Sequence, residues 1–436
     1  MTSQKLFPPA PVTISTEMDN EELKVKIIDD SELDNDKLTR KLLFSVFRNG
    51  SGYTSEVGTA AEFGTPLNLH SRFYRYQSEL LPKALELAAK SCKECFDAHS
   101  PNTVSVDAGW SVPRNAPFSV VDIIDIETKK VVDFQILTSN TYETIHPNLT
   151  YMTHKASNTF EAAGVRIMAD RIVLHTARKF VHDKDVQVKN ILIDEKNLNI
   201  AERADPNHLA KSLFRDLKNQ SHPLHAIYEM LRDKFISINK KYSPEEKKGK
   251  WMEFYTKLTS PDAKWNGHDN EKACEMLHAL FQSTVNSYDL LEAGIHTNYN
   301  EAFHAEKNAI AGKDGNLDYS WIIRTCLAIV KFNHRNNYDN ILRNFLGAPP
   351  PTNPKCQLIL QKRSNKAKSD SLRRSTKEYK EKEGTRRHFK GKQPKSENEY
   401  QYKSEKDLKF EGVTLKKREI FGKTKSTVIG KIIYLL

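Results

Sequence analysis

The spacing of apolar residues changes along the chain, and each change marks an element. From about Ser71 to Asp97, Phe73, Tyr76, Leu80, Ala84, Leu87, Ser91 and Cys95 recur at three- and four-residue steps. That period predicts a helix, with Pro82 marking a kink or the true start. The period then shortens to two. Thr103–Asp107, Pro117–Ile126 and Val131–Leu137 read as strands, joined by a polar turn (Gly109 to Asn115) and by Glu127–Lys130. Three strands on short links predict an antiparallel meander. A helix over about Ser157–Ala177 follows, then a strand at Lys179–His182, a helix over Asp183–Asp194 and a weak strand at Ile200–Ala204.

From His208 to about Tyr288 the pattern is helical. Leu224, Ile227, Leu231, Phe235 and Ile238 make one stripe, and Ser243-Pro-Glu-Glu246 is a capping box with proline at the first helical position. A further helix covers Lys272–Tyr288, and two more span Asn298–Ala311 and Tyr319–Asn333 before Pro349-Pro350-Pro351 closes the folded region. Residues 1–40 are acidic and proline-punctuated, and residues 349–436 are rich in Lys, Arg, Glu and Ser. Both segments are expected to be disordered tails. Residues 41–100 form a helical N-terminal region, and residues 101–348 the main domain, with an all-helical insertion over about 209–292. Read in order, the main domain is β-β-β-α-β-α-β-α. That order predicts an α/β fold of the RNase H-like kind, a mixed five-stranded sheet with helices on both faces.

Composition narrows the setting. No run of eighteen apolar residues occurs, and prolines fall within Met1–Thr16 where a signal peptide needs an apolar core. A soluble, unsecreted protein with no membrane partner is the expectation. Five cysteines are an odd number. Cys92-x-x-Cys95 has no second close pair, since Cys274, Cys326 and Cys356 are scattered, so reduced thiols are expected rather than a zinc site. The net charge of +11 is a tail property. Residues 351–436 hold 24 Lys+Arg against 10 Asp+Glu, a net +14, which leaves −3 for the first 350 residues. A basic tail of this kind reads as a nucleic-acid contact, a nuclear import signal or a solvated segment, and these are compatible.

Two aspartates stand at strand ends. Asp107 closes the first predicted strand and Asp183 follows the fourth; in an RNase H-like sheet these strands are parallel neighbours, which brings the two carboxylates together. So placed, they repel unless a cation lies between them, and hard oxygen ligands suit Mg²⁺ or Mn²⁺. A strand-end Asp is also a common turn-former or helix cap, and Asp185 is the local rival to Asp183.

The local sequences carry a resemblance. Val106-Asp-Ala-Gly-Trp110, with Val121-Asp-Ile-Ile-Asp125 and Thr128-Lys-Lys-Val-Val-Asp-Phe134 after it, resembles the first-Asp region of Mutator-like transposases, where an Asp-Gly-x-Trp element precedes a strand pair. Here the small residues stand in the other order, Ala108-Gly109. Phe180-Val-His-Asp-Lys-Asp185 is similar to the second-Asp element of that family. Asp205-Pro-Asn-His208 resembles the Cys/Asp-x-x-His signature that Mutator-like and hAT-like elements carry after the last core strand. Thr297-Asn-Tyr-Asn-Glu301-x-x-His304 resembles the third-acid element, with Glu292 and Glu306 as rivals to Glu301. The resemblance covers about Thr103 to Tyr338.

The resemblance implies a DDE transposase. Asp107, Asp183 and Glu301 would be both the catalytic residues and the ligands of two Mg²⁺ or Mn²⁺ ions. Trp110, Asp205, His208, Asn298 and His304 would support them. The partners implied are transposon-end and target DNA and further copies of the chain, in the nucleus. Two alternatives are a catalytically silent, domesticated DNA-binding regulator and an RNase H-like nuclease without strand transfer.

Overall fold

The structure is a computed structural model that describes residues 13–19, 22–28, 35–62, 69–112, 115–152, 159–183, 185–260, 271–312, 319–348, 350, 353–376, 378–379 and 382. Within residues 1–40, expected to be disordered, an antiparallel hairpin joins β1 (Thr13–Asp19) to β2 (Glu22–Ile28), and α1 (Asn35–Asn49) begins. Two more helices follow, α2 (Tyr53–Glu62) and α3 (His70–Ala98), and α3 runs through Pro82.

The central sheet is α/β in character and mixed. Its strands are β3 (Thr103–Trp110), β4 (Phe118–Asp125), β5 (Lys130–Thr138), β6 (Leu149–Tyr151), β7 (Lys179–His182) and β8 (Ala201–Ala204). They lie in the order β6-β5-β4-β3-β7-β8. The pairs β3–β4 and β4–β5 are antiparallel, whereas β5–β6, β3–β7 and β7–β8 are parallel. Six strands replace the expected five. The extra one, β6, is three residues long, too short for an alternation to register in the sequence. The first strand also outruns its expected end. Gly109 and Trp110, expected in a turn, pair with Val120 and Ser119 of β4.

Two helical layers flank the sheet. On one face lie α3, α11 (Asn298–Ala311) and α12 (Tyr319–Asn333), packed over Phe118, Val120, Ile124, Phe134 and Ile136. Helix α12 is buried on all sides, as its continuous apolar run dictates. On the other face α4 (Phe160–Met168), α5 (Ile172–Thr176) and α6 (Val186–Lys189) cover Val104, Val106, Val121 and Ile123. The single helix expected over Ser157–Ala177 is thus two. Arg171 between them is extended, and its guanidinium donates to Asp133 (2.8 Å) and to the carbonyls of Phe134 (3.0 Å) and Pro147 (2.8 Å). Anchoring to the sheet takes precedence there over the helical period. Helix α6 runs into a π-helical turn at Asn190–Glu195.

Between β8 and α11 the chain is helical, as expected of the insertion: α7 (Pro206–Leu213), α8 (Tyr228–Lys241), α9 (Pro244–Thr259) and α10 (Glu271–Val285). The capping box of Ser243 and Glu246 starts α9. These helices share their own apolar core, in which Trp251 stacks on Phe281 at 4.2 Å and Phe235 meets Trp251 edge-on. Helix α13 (Tyr338–Leu346) ends this unit of the chain. Residues 349–436 form a separate unit that includes α14 (Pro354–Ser375), started by Asn353 as cap. None of the described helices is long and apolar enough to cross a membrane.

Candidate active site

Strands β3 and β7 run parallel, with Ser105 level with Val181. Two residues further on, that register brings Asp107 and Asp183 to matching positions. Alternation along β3 turns Ser105, Asp107 and Gly109 to one face. Asp122 of β4 stands directly opposite Asp107 and so shares that face. Burial pushes the Asp107 carboxyl up to about 7; His304 pulls it down, while the charges of Asp183 and Asp122 push it further up.

Helix α11 lies across this face and supplies the counter-groups at helical spacing. The Asn300 side-chain amide donates to the fully buried Asp122 carboxylate at 2.7 Å, and the Ser105 hydroxyl donates to the Asn300 side-chain oxygen. One turn on, His304 Nε2 meets Asp122 at 2.6 Å while Nδ1 faces Asp107 at 3.6 Å. Burial disfavours the His304 cation, but Asp122 and then Asp107 outweigh it, so its pKa is raised. Lys307, a further turn along, donates to the Trp110 carbonyl at 3.3 Å and lies over the Trp321 ring.

The order Ala108-Gly109 follows from these faces. Ala108 points to the layer of α4 and packs in its core, whereas Gly109 points at α11. A Cβ on Gly109 would lie 2.7 Å from both the His304 ring and the Lys307 ammonium. Trp110 is on the side away from the acids and stacks on Phe160.

A second cluster joins Asp183 to Glu301. His208 Nδ1 lies 2.8 Å from Asp183 and Nε2 lies 3.5 Å from Glu301. The hydrogen bond to Asp183 is the main cause of a His208 pKa raised to about 9, against a smaller desolvation penalty. Asp205 caps α7 by accepting from the backbone of Asn207 (2.7 Å) and His208 (3.0 Å), and its other oxygen accepts from the Thr297 backbone at 2.9 Å. The Thr297 hydroxyl contacts both Asp205 and Asp183 at 3.2 Å. This buried aspartate therefore ties the end of β8 to the start of the helix that carries Glu301.

The rivals have other work. Asp185 caps α6, accepting from Gln187 at 2.8 Å. Glu292 pairs with Lys179 (2.7 Å) and Arg203 (3.1 Å), and Glu306 with Lys331 (3.5 Å) and Arg335 (3.6 Å). Asn298 opens α11 and lines a cleft beside Glu301.

Sequence reasoning missed Asp122, Asn300 and Glu161. Asp122 left a readable signal, a carboxylate inside the apolar run Phe118–Ile124. Glu161, in the first turn of α4, left none, because a helical Glu is ordinarily a solvated residue. Burial, then the charges of Asp107, Asp185 and Asp183, push its carboxyl up to about 8. Glu161 thus approaches the aspartates from the opposite helical layer.

Among the described residues no group of three His, Cys, Asp or Glu side chains is arranged to hold a metal ion. The donors around Asp107 are oxygen ligands of the kind such an ion takes: carboxylates that burial first, and neighbouring acids after it, hold well above the usual carboxylate range at Asp107 and Glu161. Asp107 and Asp183 would be the first ligands, with Glu301 and Glu161 completing the set. The chain matches no family model, no curated protein and no solved structure.

Proposed function

We propose that this chain is a DDE-type transposase of the Mutator-like kind, in which Asp107, Asp183 and Glu301 hold two Mg²⁺ or Mn²⁺ ions and act on DNA. The observation that carries the reading is the parallel pairing of β3 with β7, which aligns two aspartates distant in sequence and leaves Glu301 joined to one of them through His208. The topology supports an RNase H-like sheet: counting β3, β4, β5, β7 and β8 as first to fifth, they lie in the order 3-2-1-4-5 with only the second antiparallel to the rest.

Divalent ions at such carboxylates supply phosphate polarisation and nucleophile activation for in-line displacement. The chain's own groups position the acids. Asp122 and Asn300 fix His304 beside Asp107, Asp205 and Thr297 hold the start of α11, and His208 keeps Asp183 and Glu301 on a shared cation. Such fixed geometry lowers the reorganisation needed for reaction. Cutting and joining two transposon ends calls for at least two copies of the chain, acting in the nucleus.

The test is Mg²⁺-dependent cleavage and joining of DNA that carries the sequences flanking the reading frame. Asp107→Asn is expected to abolish both while leaving the fold intact, and full activity in that variant overturns the reading. Cleavage without joining assigns the chain to RNase H-like nucleases instead, and DNA binding with no Mg²⁺ affinity to silent regulators.

A further inference from the structure

Beside Glu301 the surface opens into a cleft of about 640 Å³ between the start of α11 and the insertion helices α7 and α8. Helix α8 is two-faced. Leu231, Phe235 and Ile238 are buried in the insertion core, and the opposite stripe, including Ser237, Lys240 and Lys241, lines the cleft. Lys211 of α7 faces them. The cleft's fourth cation, Arg232, is already held by Asp233 at 2.9 Å and Glu229 at 3.3 Å. Lys211, Lys240 and Lys241 are exposed, and none is paired with a carboxylate among the described residues. Lys211 is three residues after His208 on α7, and Lys211 and Glu301 line the same cleft, so the lysines adjoin the acid cluster.

An unpaired cationic row in a chain whose first 350 residues carry a net −3 is a local feature, distinct from the basic C-terminal segment. We infer that this cleft is a binding site for the sugar-phosphate backbone of a DNA strand running from the acid cluster along α8. Lys240 and Lys241 lie one turn after Ser237 on α8, and Lys211 faces them from α7; three ammonium groups so placed can meet phosphates from two sides, and Ser237 and Asn298 add neutral donors without base selectivity. The inference rests on the reading of the acids as a DNA-processing site, and it identifies how the insertion serves that site.

The experiment compares the full chain with Lys211→Gln/Lys240→Gln/Lys241→Gln, with the corresponding triple Lys→Arg variant, and with Lys83→Gln/Lys90→Gln/Lys93→Gln on α3 as a control for net charge. Fluorescence anisotropy measures binding of a short DNA duplex in EDTA across a salt series; cleavage is assayed separately in Mg²⁺. Neutralising the cleft is expected to weaken binding roughly tenfold or more, and to reduce the slope of log K against log salt by about 2–3. The Lys→Arg and α3 variants should bind like the parent. Parental affinity and salt slope in the cleft variant overturn the inference, whatever the cleavage assay gives. Loss of binding in the cleft variant of a chain that cleaves no DNA supports the cleft and removes the catalytic reading.

Discussion

His208 Nδ1 sits 2.8 Å from a carboxylate oxygen of Asp183, and that contact sets the charge of the ring. With its pKa raised to about 9 from an ordinary 6.5, His208 is a cation at neutral pH in the metal-free protein. The raised value stabilises the folded state fully below pH 6.5, and the contribution is lost as pH rises through about 9. An NMR titration of the imidazole in EDTA should find this value, and Asp183→Asn should return it toward the ordinary one. A ring that titrates normally in the parent would remove the bridge between Asp183 and Glu301.

Asp107 shifts in the same direction, but here the cause is burial, which disfavours its charged form. Its carboxyl is at about 7 when folded against 3.8 ordinarily, so the folded state holds the proton more tightly than the unfolded chain. Stability from this group falls as pH rises from about 4 to 7 and stays low above it. Asp107→Asn should therefore stabilise the metal-free protein at pH 8, by on the order of 3 kcal/mol, and much less at pH 4. Urea unfolding in EDTA at the two pH values measures the difference. Equal stability of variant and parent at pH 8 would count against the crowding of acids around Asp107.

Much of this arrangement was legible in the sequence, for physical reasons. The strand at Lys179–His182 and the helices at Asn298–Ala311 and Tyr319–Asn333 fall where the apolar pattern put them, because burial of one face, or of the whole helix at Tyr319–Asn333, leaves its mark on the sequence. The alignment of Asp107 with Asp183 was expected from the RNase H-like pattern that the element order suggested, and β3 does pair in parallel with β7. What could not be read were contacts between distant segments. Nothing local to Glu161 marks it, because its shift comes from Asp107, Asp185 and Asp183, which other elements bring near. His304 was marked by a motif, but its partner Asp122 belongs to another strand.

Asp183 and Asp185 should separate cleanly under substitution. Asp185 accepts from the Gln187 backbone as the cap of α6, so Asp185→Ala is expected to cost about 1 kcal/mol of stability and little activity. Asp183→Asn loses the His208 contact and a carboxylate of the proposed metal pair, so cleavage should fall at least a thousandfold, roughly 4 kcal/mol in transition-state terms. Thermal melts and cleavage rates on both variants decide the assignment; a larger activity loss at Asp185 reverses it.

Glu161→Gln tests the fourth acid. It keeps the side-chain shape but cannot ionise, so the carboxyl titration that burial and the charges of Asp107, Asp185 and Asp183 push up to about 8 should disappear, while the Asp107 titration remains. Mg²⁺ affinity should weaken by roughly 10- to 100-fold, the usual cost of disturbing a supporting ligand. Isothermal titration with Mg²⁺ reads the affinity directly. Unchanged affinity would leave Glu161 as a bystander at the end of α4.

Gly109→Ala tests how closely α11 must approach the sheet. The added methyl would meet the His304 ring at 2.7–2.8 Å and the Lys307 ammonium at 2.7 Å. Neither group retreats freely. His304 is held by Asp122 at 2.6 Å, and Lys307 is tied to the Trp110 carbonyl while lying over the Trp321 ring. Relief therefore requires α11 to shift outward, at a cost of about 1–3 kcal/mol typical of overpacked interiors. The same shift would carry His304 away from Asp107 and Glu301 out of line with Asp183. Denaturant midpoints should fall, and cleavage should drop even at temperatures where the variant remains folded. Ser105→Ala, on the same face four residues before Gly109, adds no bulk against α11; it removes the hydroxyl that donates to Asn300, so it should cost about 1–2 kcal/mol of stability without moving the helix outward. Parental stability in Gly109→Ala would mean that α11 lies farther from β3 than these contacts require.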